Sequence, residues 1–405
     1  MKKSISILIL FTILTSSVLF GCKKENTTII DYIINENDTI NIGVIVPQSG
    51  DYKEYGENVL AGIEYAHTLA PQVQIDKSYN LNLITEDSES DLPTVADKMI
   101  NNKVAAIICA GTNKEKTDLI INQFASTAIP LIFVDNHSEL ITNTEKVFSI
   151  SISTDYQVSV ATSHFIEKSY RNGAIILADD SEYSSSFAQK FQDTFTSNGG
   201  ESVSTYYFSG DSENFRANAI AGAGLDFAFV VGDSLTQKKI HTQLIGGGFA
   251  SEIMFSEVFE KTILEAEDFN GISFISSFEP DDLNNTGTVF LDSYSTQSKI
   301  NESDINASTA YGHDAYMTLY TTLCPNDDPL GMFKNNEESS ESTESSITTT
   351  QLKDKIKAVE YYGGVTDTII FDSNGTVKPT FLYINNIENS NSVMLNRYDY
   401  NYEQN

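Results

Sequence analysis

The stretch 41–66, NIGVIVPQSGDYKEYGENVLAGIEYA, holds the pattern that decides the fold. It opens with a nearly continuous apolar run, which is typical of a strand buried on both faces of a parallel sheet. After a polar loop, Val59, Ile63 and Ala66 recur at helical spacing and predict an amphipathic helix. A buried strand followed by such a helix is the first half of a βαβ unit.

The same alternation of strand and helix continues along the chain. Helical spacing recurs in the apolar residues of 119–124 and 158–166. Repeated right-handed βαβ units predict an α/β fold of doubly wound parallel sheets. The chain has 405 residues, too many for one ordinary core, and it suits two lobes of roughly 150 residues each. Further short apolar runs predict strands at 81–85, 104–109, 129–134, 174–177, 227–231, 253–255, 272–275 and 368–371.

The composition narrows the class of partner. The formal net charge is −31 at pH 7, and hydrophobic residues make up 40% of the chain. Such an acidic body argues against nucleic acid as a partner, because phosphate repels it, and also against broad contact with anionic lipid; we predict no nucleic-acid partner. This acidity is typical of a soluble extracytoplasmic body. One segment, 335–350, is rich in Glu, Ser and Thr and predicts a solvated acidic loop.

The N-terminus has the pattern of an export signal. Lys2 and Lys3 precede an apolar stretch, 5–20, that is too short and too polar near its end to span a membrane. The stretch finishes in Leu-Phe-Gly-Cys at 19–22, which resembles a lipobox. An ordinary secretory signal followed by a chance cysteine is the alternative.

The lipobox resemblance implies a lipoprotein signal peptide over 1–21 and a diacylated Cys22 at the mature N-terminus. Several acyl chains on one cysteine anchor a protein firmly in a bilayer. Residues 22–40 are polar and Asn-rich, and we expect them to form a tether between the lipid and the folded body. The expected location is therefore the cell envelope membrane, on its periplasmic or extracellular face.

The other two cysteines and the remaining motifs indicate no chemistry. Cys109 and Cys324 could pair in an oxidising compartment, but burial as free thiols is the favoured alternative. Neither has a metal-ligand spacing, so we predict no metal and no cofactor. The sequence has no GxSxG elbow, HExxH helix or P-loop, so we predict no catalytic residue and no enzyme activity.

Several short motifs occur in a fixed order. In order and spacing they resemble the type I periplasmic binding proteins, and within them the leucine/isoleucine/valine-binding receptors of ABC transporters. The resemblance covers about 41–385. The motifs are IGVIVPQSG at 42–50, YGE at 55–57, GIEYA at 62–66, IICAGT at 107–112, AIPLI at 128–132, ADDSEY at 178–183, FVVGD at 229–233, AYGHDA at 310–315 and IFDSNG at 370–375.

The resemblance implies two similar lobes joined by a hinge of three crossings. Lobe I would hold 41–153 and 279–358, and lobe II would hold 154–278 and 359–405. A small polar ligand, an amino acid or a similar solute, would bind between lobes that close on it and then dock on an ABC permease. A regulatory or scaffolding lipoprotein of the same fold, binding a partner protein and no small ligand, is the alternative.

Two loops of lobe I are predicted to meet the ligand, because loops after parallel strands converge at the cleft. In the resembled family the place of Thr112 and Asn113 carries a hydroxyl that binds the ligand carboxylate; a plain helix N-cap is the alternative. The next strand leads into Val134, Asp135 and Asn136. The family has small residues there, so the negative charge of Asp135 argues against a simple aliphatic amino acid.

Two positions of lobe II complete the polar part of the predicted site. Glu257 matches the acid that pairs with the ligand ammonium in the family, with a surface glutamate as the alternative. Ser234 stands where the branched-chain receptors carry an aromatic hydroxyl, so the pocket would be wider or wetter; an N-cap is again the alternative. His137 is expected to be a solvated loop histidine.

Tyrosines form the predicted walls of the cleft. Tyr55, Tyr183 and Tyr311 match aromatic positions of the resembled family, and tyrosine offers a rigid apolar face with a hydroxyl that can bridge two lobes. The chain has 20 tyrosines, so ordinary core packing is the alternative for each of them.

Overall fold

Two mixed sheets organise the part of the chain that the computed structural model describes, namely residues 29–208, 216–257, 269–302, 305–324, 346–389 and 391–400. Each of these sheets has seven strands and is parallel in its central part. Helices cover both faces of each sheet. The expectation of two doubly wound α/β lobes is therefore confirmed.

The first sheet has the strand order β14-β6-β5-β4-β1-β3-β2, and its edge strand β2 is antiparallel to β3. Its strands are β1 (Thr39–Val46), β2 (Gln72–Gln74), β3 (Ser78–Asp87), β4 (Ile107–Cys109), β5 (Leu131–Phe133), β6 (Val147–Ile152) and β14 (Thr376–Val377). Val44 and Val46 pack into the core on one face and Ile45 into the core on the other, which explains why the run in β1 is continuously apolar.

The second sheet has the order β16-β15-β11-β10-β9-β7-β8, with β15 and β16 antiparallel at one edge. A small sheet pairs β12 (Glu360–Tyr361) with β13 (Ile369–Ile370). The strands of the second sheet are β7 (Asn172–Leu177), β8 (Ser202–Tyr207), β9 (Phe227–Val231), β10 (Glu252–Phe255), β11 (Ser273–Ser276), β15 (Phe381–Glu388) and β16 (Asn391–Asp399).

Helices connect most of the strands and supply the outer layers. Within the described ranges they are α1 (Lys53–Leu69), α2 (Leu92–Asn101), α3 (Lys114–Gln123), α4 (Glu139–Asn143), α5 (Thr154–Glu167), α6 (Glu182–Ser197), α7 (Ala217–Ala221), α8 (Ser234–Gly246), α9 (Asn285–Ser298), α10 (Ala307–Leu323) and α11 (Thr349–Lys357). No helix in these ranges has both the length and the apolar character needed to cross a membrane.

Helices α1 and α10 pack at very short range because each has a glycine at the contact. A Cβ atom on Gly62 would lie 1.9 Å from the carbonyl oxygen of Thr309, and one on Gly312 would lie 2.1 Å from that of Val59. Backbone atoms cannot yield as a flexible side chain can. This close contact therefore explains the glycines in the sequence motifs at 62–66 and 310–315.

The chain crosses between lobes after β6, after β11 and after β14. The crossings are fastened by side chains: Asn385 Nδ2 donates to Glu279 Oε2 at 2.8 Å, and the hydroxyl of Tyr383 donates to the carbonyl of Asp282 at 2.9 Å. Asp367 accepts from the hydroxyl of Thr380 at 2.7 Å. Hydrogen bonds of this kind hold the crossing segments in place between the two lobes.

The predicted lobe boundary at 358/359 is wrong. Tyr361 and Ile369 are buried in the core of lobe I, and β14 pairs with β6 in the first sheet. Asp314 of α10 accepts from the backbone N–H of Val365 and of Thr366, each at 2.8 Å. The segment 359–377 therefore belongs to lobe I, and the chain returns to lobe II with β15.

The predicted tether at 22–40 is also too long. The signal peptide, Cys22 and the rest of 1–28 lie outside the described residues. From residue 29 the chain packs on lobe I: Ile30 bridges to Thr127, and Ile34 is buried. Asn35 accepts from the backbone N–H of Ile347 at 2.9 Å. Apolar residues among the asparagines explain why this part is bound to the body.

The predicted acidic loop at 335–350 ends too late. Residues 335–345 lie outside the described ranges, but Ile347 is buried and a capping box at Thr348 begins helix α11.

The two body cysteines, Cys109 and Cys324, are both buried and form no disulfide bond, as the favoured alternative predicted.

The close contact of α1 and α10 can be tested by substitution. We expect Gly312→Ala to lower the free energy of unfolding by about 1–3 kcal/mol, because the new methyl group must push a backbone carbonyl aside. The control is Gly246→Ala at the end of α8, where an added Cβ has nothing within 4 Å. The control should leave stability unchanged or raise it by up to about 1 kcal/mol. Equal effects of the two variants in urea denaturation would contradict the close-contact explanation.

Candidate ligand-binding site

The carboxyl ends of the central strands of both sheets face a shared cleft. Loops after parallel strands collect at this edge in doubly wound sheets. A cavity of about 250 Å³ lies there and is lined from both lobes. Its lining includes Asn113, Asn136, Asp179, Tyr183, Asp233 and Glu257.

Hydrogen bonds across the cleft show that the lobes are closed. The hydroxyl of Tyr52 in lobe I donates to Asp233 Oδ1 in lobe II at 2.7 Å, and the hydroxyl of Tyr183 donates to the carbonyl of Asn136 at 3.2 Å. Tyr311 of α10 donates to Glu257 from the other lobe. Tyrosine hydroxyls therefore bridge the lobes, as the sequence suggested for Tyr183 and Tyr311.

The carboxylate of Asp135 accepts hydrogen bonds from backbone N–H groups just before α3. Its Oδ2 accepts from the N–H of Gly111 at 2.8 Å and of Thr112 at 2.9 Å, and the Tyr55 hydroxyl donates to it at 3.1 Å. Thr112 has φ of 63°, a left-handed conformation that is costly for a β-branched residue. This conformation presents successive N–H groups to one anion. A side chain of the protein thus holds the place expected for a ligand carboxylate.

Thr112 and Asn113 play structural roles in this arrangement. The Thr112 hydroxyl donates to the carbonyl of Gly111 at 2.6 Å, so its proton is used within the loop. Asn113 is the N-cap of α3 and accepts from the N–H of Lys116 at 2.9 Å, and it also lines the cavity. The N-cap alternative therefore holds for Asn113.

Glu257 is buried between the lobes. Its Oε2 accepts from the N–H of Ile152 at 3.3 Å, and its Oε1 accepts from Tyr311. Burial raises the pKa of Glu257 to about 8, and the negative charge of Asp135 contributes to the increase. The surface-glutamate alternative is wrong. A carboxyl in this environment gains most from a cationic partner.

The remaining predicted residues occupy different places. Val134 is fully buried in the core of lobe I. Asp233 is the N-cap of α8, accepting from the N–H of Thr236 at 3.0 Å, so Ser234 is not the cap. His137 was expected to be a solvated loop histidine, but it is half-buried and lines the cavity.

A second, much smaller space lies between the loops of the two lobes. It measures about 10 Å³, enough for about one water molecule. The protein itself therefore fills the region between the two lobes at this point. Its lining includes Tyr52, Tyr55, Thr112, Ser234 and Glu257.

Some lining residues were not predicted. Asp179 and Asp233 follow β7 and β9 directly, so the rule that loops after parallel strands form the site could have found them. Tyr52 precedes α1 at the end of the first loop and gave the same kind of signal. Gln157 donates to the carbonyl of Ile152 at 3.1 Å and accepts from the N–H of Glu257; nothing in the sequence indicated that role.

The fold is similar to that of solved solute-binding proteins. A leucine-binding protein, LivK, from Thermotoga maritima superposes with a TM-score of 0.72 at 20% identity, over 89% of this chain and 99% of the other. The branched-chain amino acid transporter substrate-binding protein LivJ from Streptococcus pneumoniae, in complex with isoleucine, gives 0.69 at 18%, over 88% and 100%. An ABC transporter solute-binding protein from R. palustris, in complex with benzoate, gives 0.69 at 14%, over 88% and 95%.

Two comparisons by sequence complete these findings. Curated protein sequences give no significant match to this chain. The sequence family described as periplasmic binding protein matches residues 39–379, a range that includes both sheets up to β14 and every element of the cleft described above. With this match over most of its length, the chain belongs to the periplasmic binding protein family.

Proposed function

We propose that this protein is an extracytoplasmic, lipid-anchored solute-binding protein of an ABC transporter, without catalytic activity. It would capture an amino acid or a similar small polar ligand between its two lobes and present it to a membrane permease. The observation that carries the proposal is the buried Glu257, which lines a cavity shared by both lobes and accepts hydrogen bonds from the opposite lobe and the hinge.

Closure would be driven by contacts that exist only when the lobes meet. Tyr52, Tyr183 and Tyr311 each make a bond across the cleft. A ligand that bonds to both lobes would shift the population toward the closed form by its differential affinity for that form. Closure also excludes water, which strengthens the polar contacts to the ligand.

The similar solved proteins support a small ligand without naming it. Two of them are described as leucine-binding or bound to isoleucine, and another is bound to benzoate. These ligands differ in charge and shape, so the fold accepts several classes of small molecule. The side chains of this cleft must therefore determine which class of ligand this protein binds.

A scaffolding lipoprotein that leaves the cleft empty is the second candidate. The small space beside Glu257 holds about one water, and bonds such as Tyr52 to Asp233 close the lobes with protein groups alone. A protein of this kind would gain no stability from any small ligand.

Thermal denaturation with a ligand panel separates the two candidates. The panel would contain amino acids, small amines and benzoate, each at millimolar concentration. A ligand present at 100 times its dissociation constant should stabilise the protein by about 2.7 kcal/mol, which is visible as a raised melting temperature. Failure of every compound to stabilise the protein would favour the scaffold.

Glu257→Gln should have opposite effects on stability and binding. The pKa of Glu257 is raised in the folded state, so its carboxyl lowers stability as pH rises from the unfolded value near 4.5 toward 8. We expect the ligand-free variant to be more stable by roughly 3 kcal/mol at pH 7, with the difference vanishing near pH 4.5. Glu201→Gln, at an exposed site on lobe II, is the control and should change neither property.

A cationic ligand should bind wild-type protein more weakly as pH falls below about 8, by at most tenfold per pH unit, because protonated Glu257 must first lose its proton. Calorimetric titration at several pH values would measure this slope. The Glu257→Gln variant should bind at least tenfold more weakly and without the slope. A variant that binds as tightly as wild type would show that Glu257 does not meet the ligand.

Substitution of Cys22 tests the lipid anchor. Cys22→Ala removes the thiol that would carry the acyl chains, and we expect the variant to appear as folded, soluble protein after cell fractionation. The wild-type chain should stay with the membrane fraction. Retention of Cys22→Ala in the membranes would show that another segment holds the protein there.

A further inference from the structure

We propose that the ligand of the cleft is a small organic amine that carries no carboxylate. The inference rests on the proposed function, since it presupposes a solute in the cleft, and it narrows the class of that solute. The inference follows from three places along the cleft where backbone N–H groups could bind an anion. Carboxylates of the protein itself occupy all three places, so a ligand carboxylate would find no free donor there.

The first of these positions is the turn before α3. The N–H groups of Gly111 and Thr112 and the hydroxyl of Tyr55 all donate to Asp135, which has no exposed surface. A ligand carboxylate could use these donors only by displacing Asp135. Two like charges in close contact near a protein surface repel each other, so sharing the turn is unfavourable as well.

The other two positions are starts of helices that face the cleft. Asp233 caps α8 through the N–H of Thr236 at 3.0 Å and also holds Tyr52. Asp179 accepts from the N–H of Ser181, the N-cap residue of α6, at 2.9 Å and from the hydroxyl of Ser184 at 2.7 Å. Helix N-termini attract anions, but here an aspartate of the chain caps α8 and another lies beside the cap of α6.

The cavity offers acceptors to a ligand instead. Asn136 lines it and is only 8% exposed, and its Oδ1 has no hydrogen-bond partner among the described residues. A buried acceptor without a donor lowers the stability of the folded protein. Glu257 lines the same cavity. An ammonium group brings three donors and no acceptor, so it can satisfy both of these side chains.

The charges around the cavity favour a cation too. The lining contains four carboxylates, Glu115, Asp179, Asp233 and Glu257, against two lysines, Lys114 and Lys239. One of these lysines, Lys114, forms ion pairs with Asp118 and Glu139 in lobe I. The acidic side chains therefore outnumber the lysines before the buried Asp135 is counted, and the excess of negative charge grows when Glu257 ionises near pH 8.

The test compares each amino acid with its own decarboxylated amine. Suitable pairs are leucine with isoamylamine, phenylalanine with phenethylamine, arginine with agmatine, and ornithine with putrescine. The mature protein, without the proposed signal peptide, would be titrated with every compound by calorimetry at pH 8. We expect at least one amine to bind at least tenfold more tightly than the amino acid from which it derives.

Asp135→Ser should reverse that preference. The variant frees the N–H groups of Gly111 and Thr112 and removes a negative charge, so the amine should bind at least tenfold more weakly and the parent amino acid should gain affinity. Asp97→Ser, on the exposed face of α2, is the control for the change in net charge. If circular dichroism shows that Asp135→Ser does not fold, Asp135→Asn keeps the shape and should weaken amine binding in the same direction.

The possible results distinguish a failure of the amine inference from a failure of the proposed solute-binding function. Wild-type protein that binds amino acids as tightly as their amines would overturn the inference and leave the solute-binding function standing. Wild-type protein that binds no member of either series would contradict both. An amine preference that Asp135→Ser leaves intact would overturn the role given to Asp135.

Discussion

Two carboxylates buried where the lobes meet constrain everything else in the cleft. Asp135 is held by backbone N–H groups, which stabilise its charge, whereas Glu257 is held by one N–H and one hydroxyl, and its pKa is raised to about 8. Burying charge is costly unless it is paired. The closed form with Glu257 ionised is therefore unfavourable when the cleft lacks a cation, which is the condition that lets a cationic ligand drive closure.

Much of the fold could be predicted from the sequence, because parallel strands buried on both faces are continuously apolar. The apolar run at 227–231 coincides with β9, and the run that predicted the first strand, 41–46, starts two residues after β1 begins. The same rule missed β8, β15 and β16, which lie at or near an edge of the second sheet and contain several polar residues. It also missed β6, a buried strand of the first sheet whose apolar run is interrupted by Ser149 and Ser151. Antiparallel and edge strands need no continuous apolar run, so their signal is weaker.

The sequence predicted which loops meet at the site more reliably than it predicted what each side chain does there. Residues that directly follow strands, such as Asp135 and Glu257, do lie together at the cleft. The ligand-binding role of Thr112 stays a prediction: its hydroxyl donates to the carbonyl of Gly111, and no sequence pattern indicated its left-handed backbone conformation. The lobe boundary failed at 359–377 because Asp314, distant in sequence, anchors that segment.

The central claim is that a cation occupies the cleft between carboxylates that belong to the protein. The most direct measurement is a crystal structure of the protein with its tightest-binding amine, grown near pH 8. The claim predicts the ligand nitrogen within about 3.2 Å of a Glu257 oxygen, with Asp135 still bonded to the N–H groups of Gly111 and Thr112. A ligand carboxylate on those N–H groups, with Asp135 turned away, would contradict it.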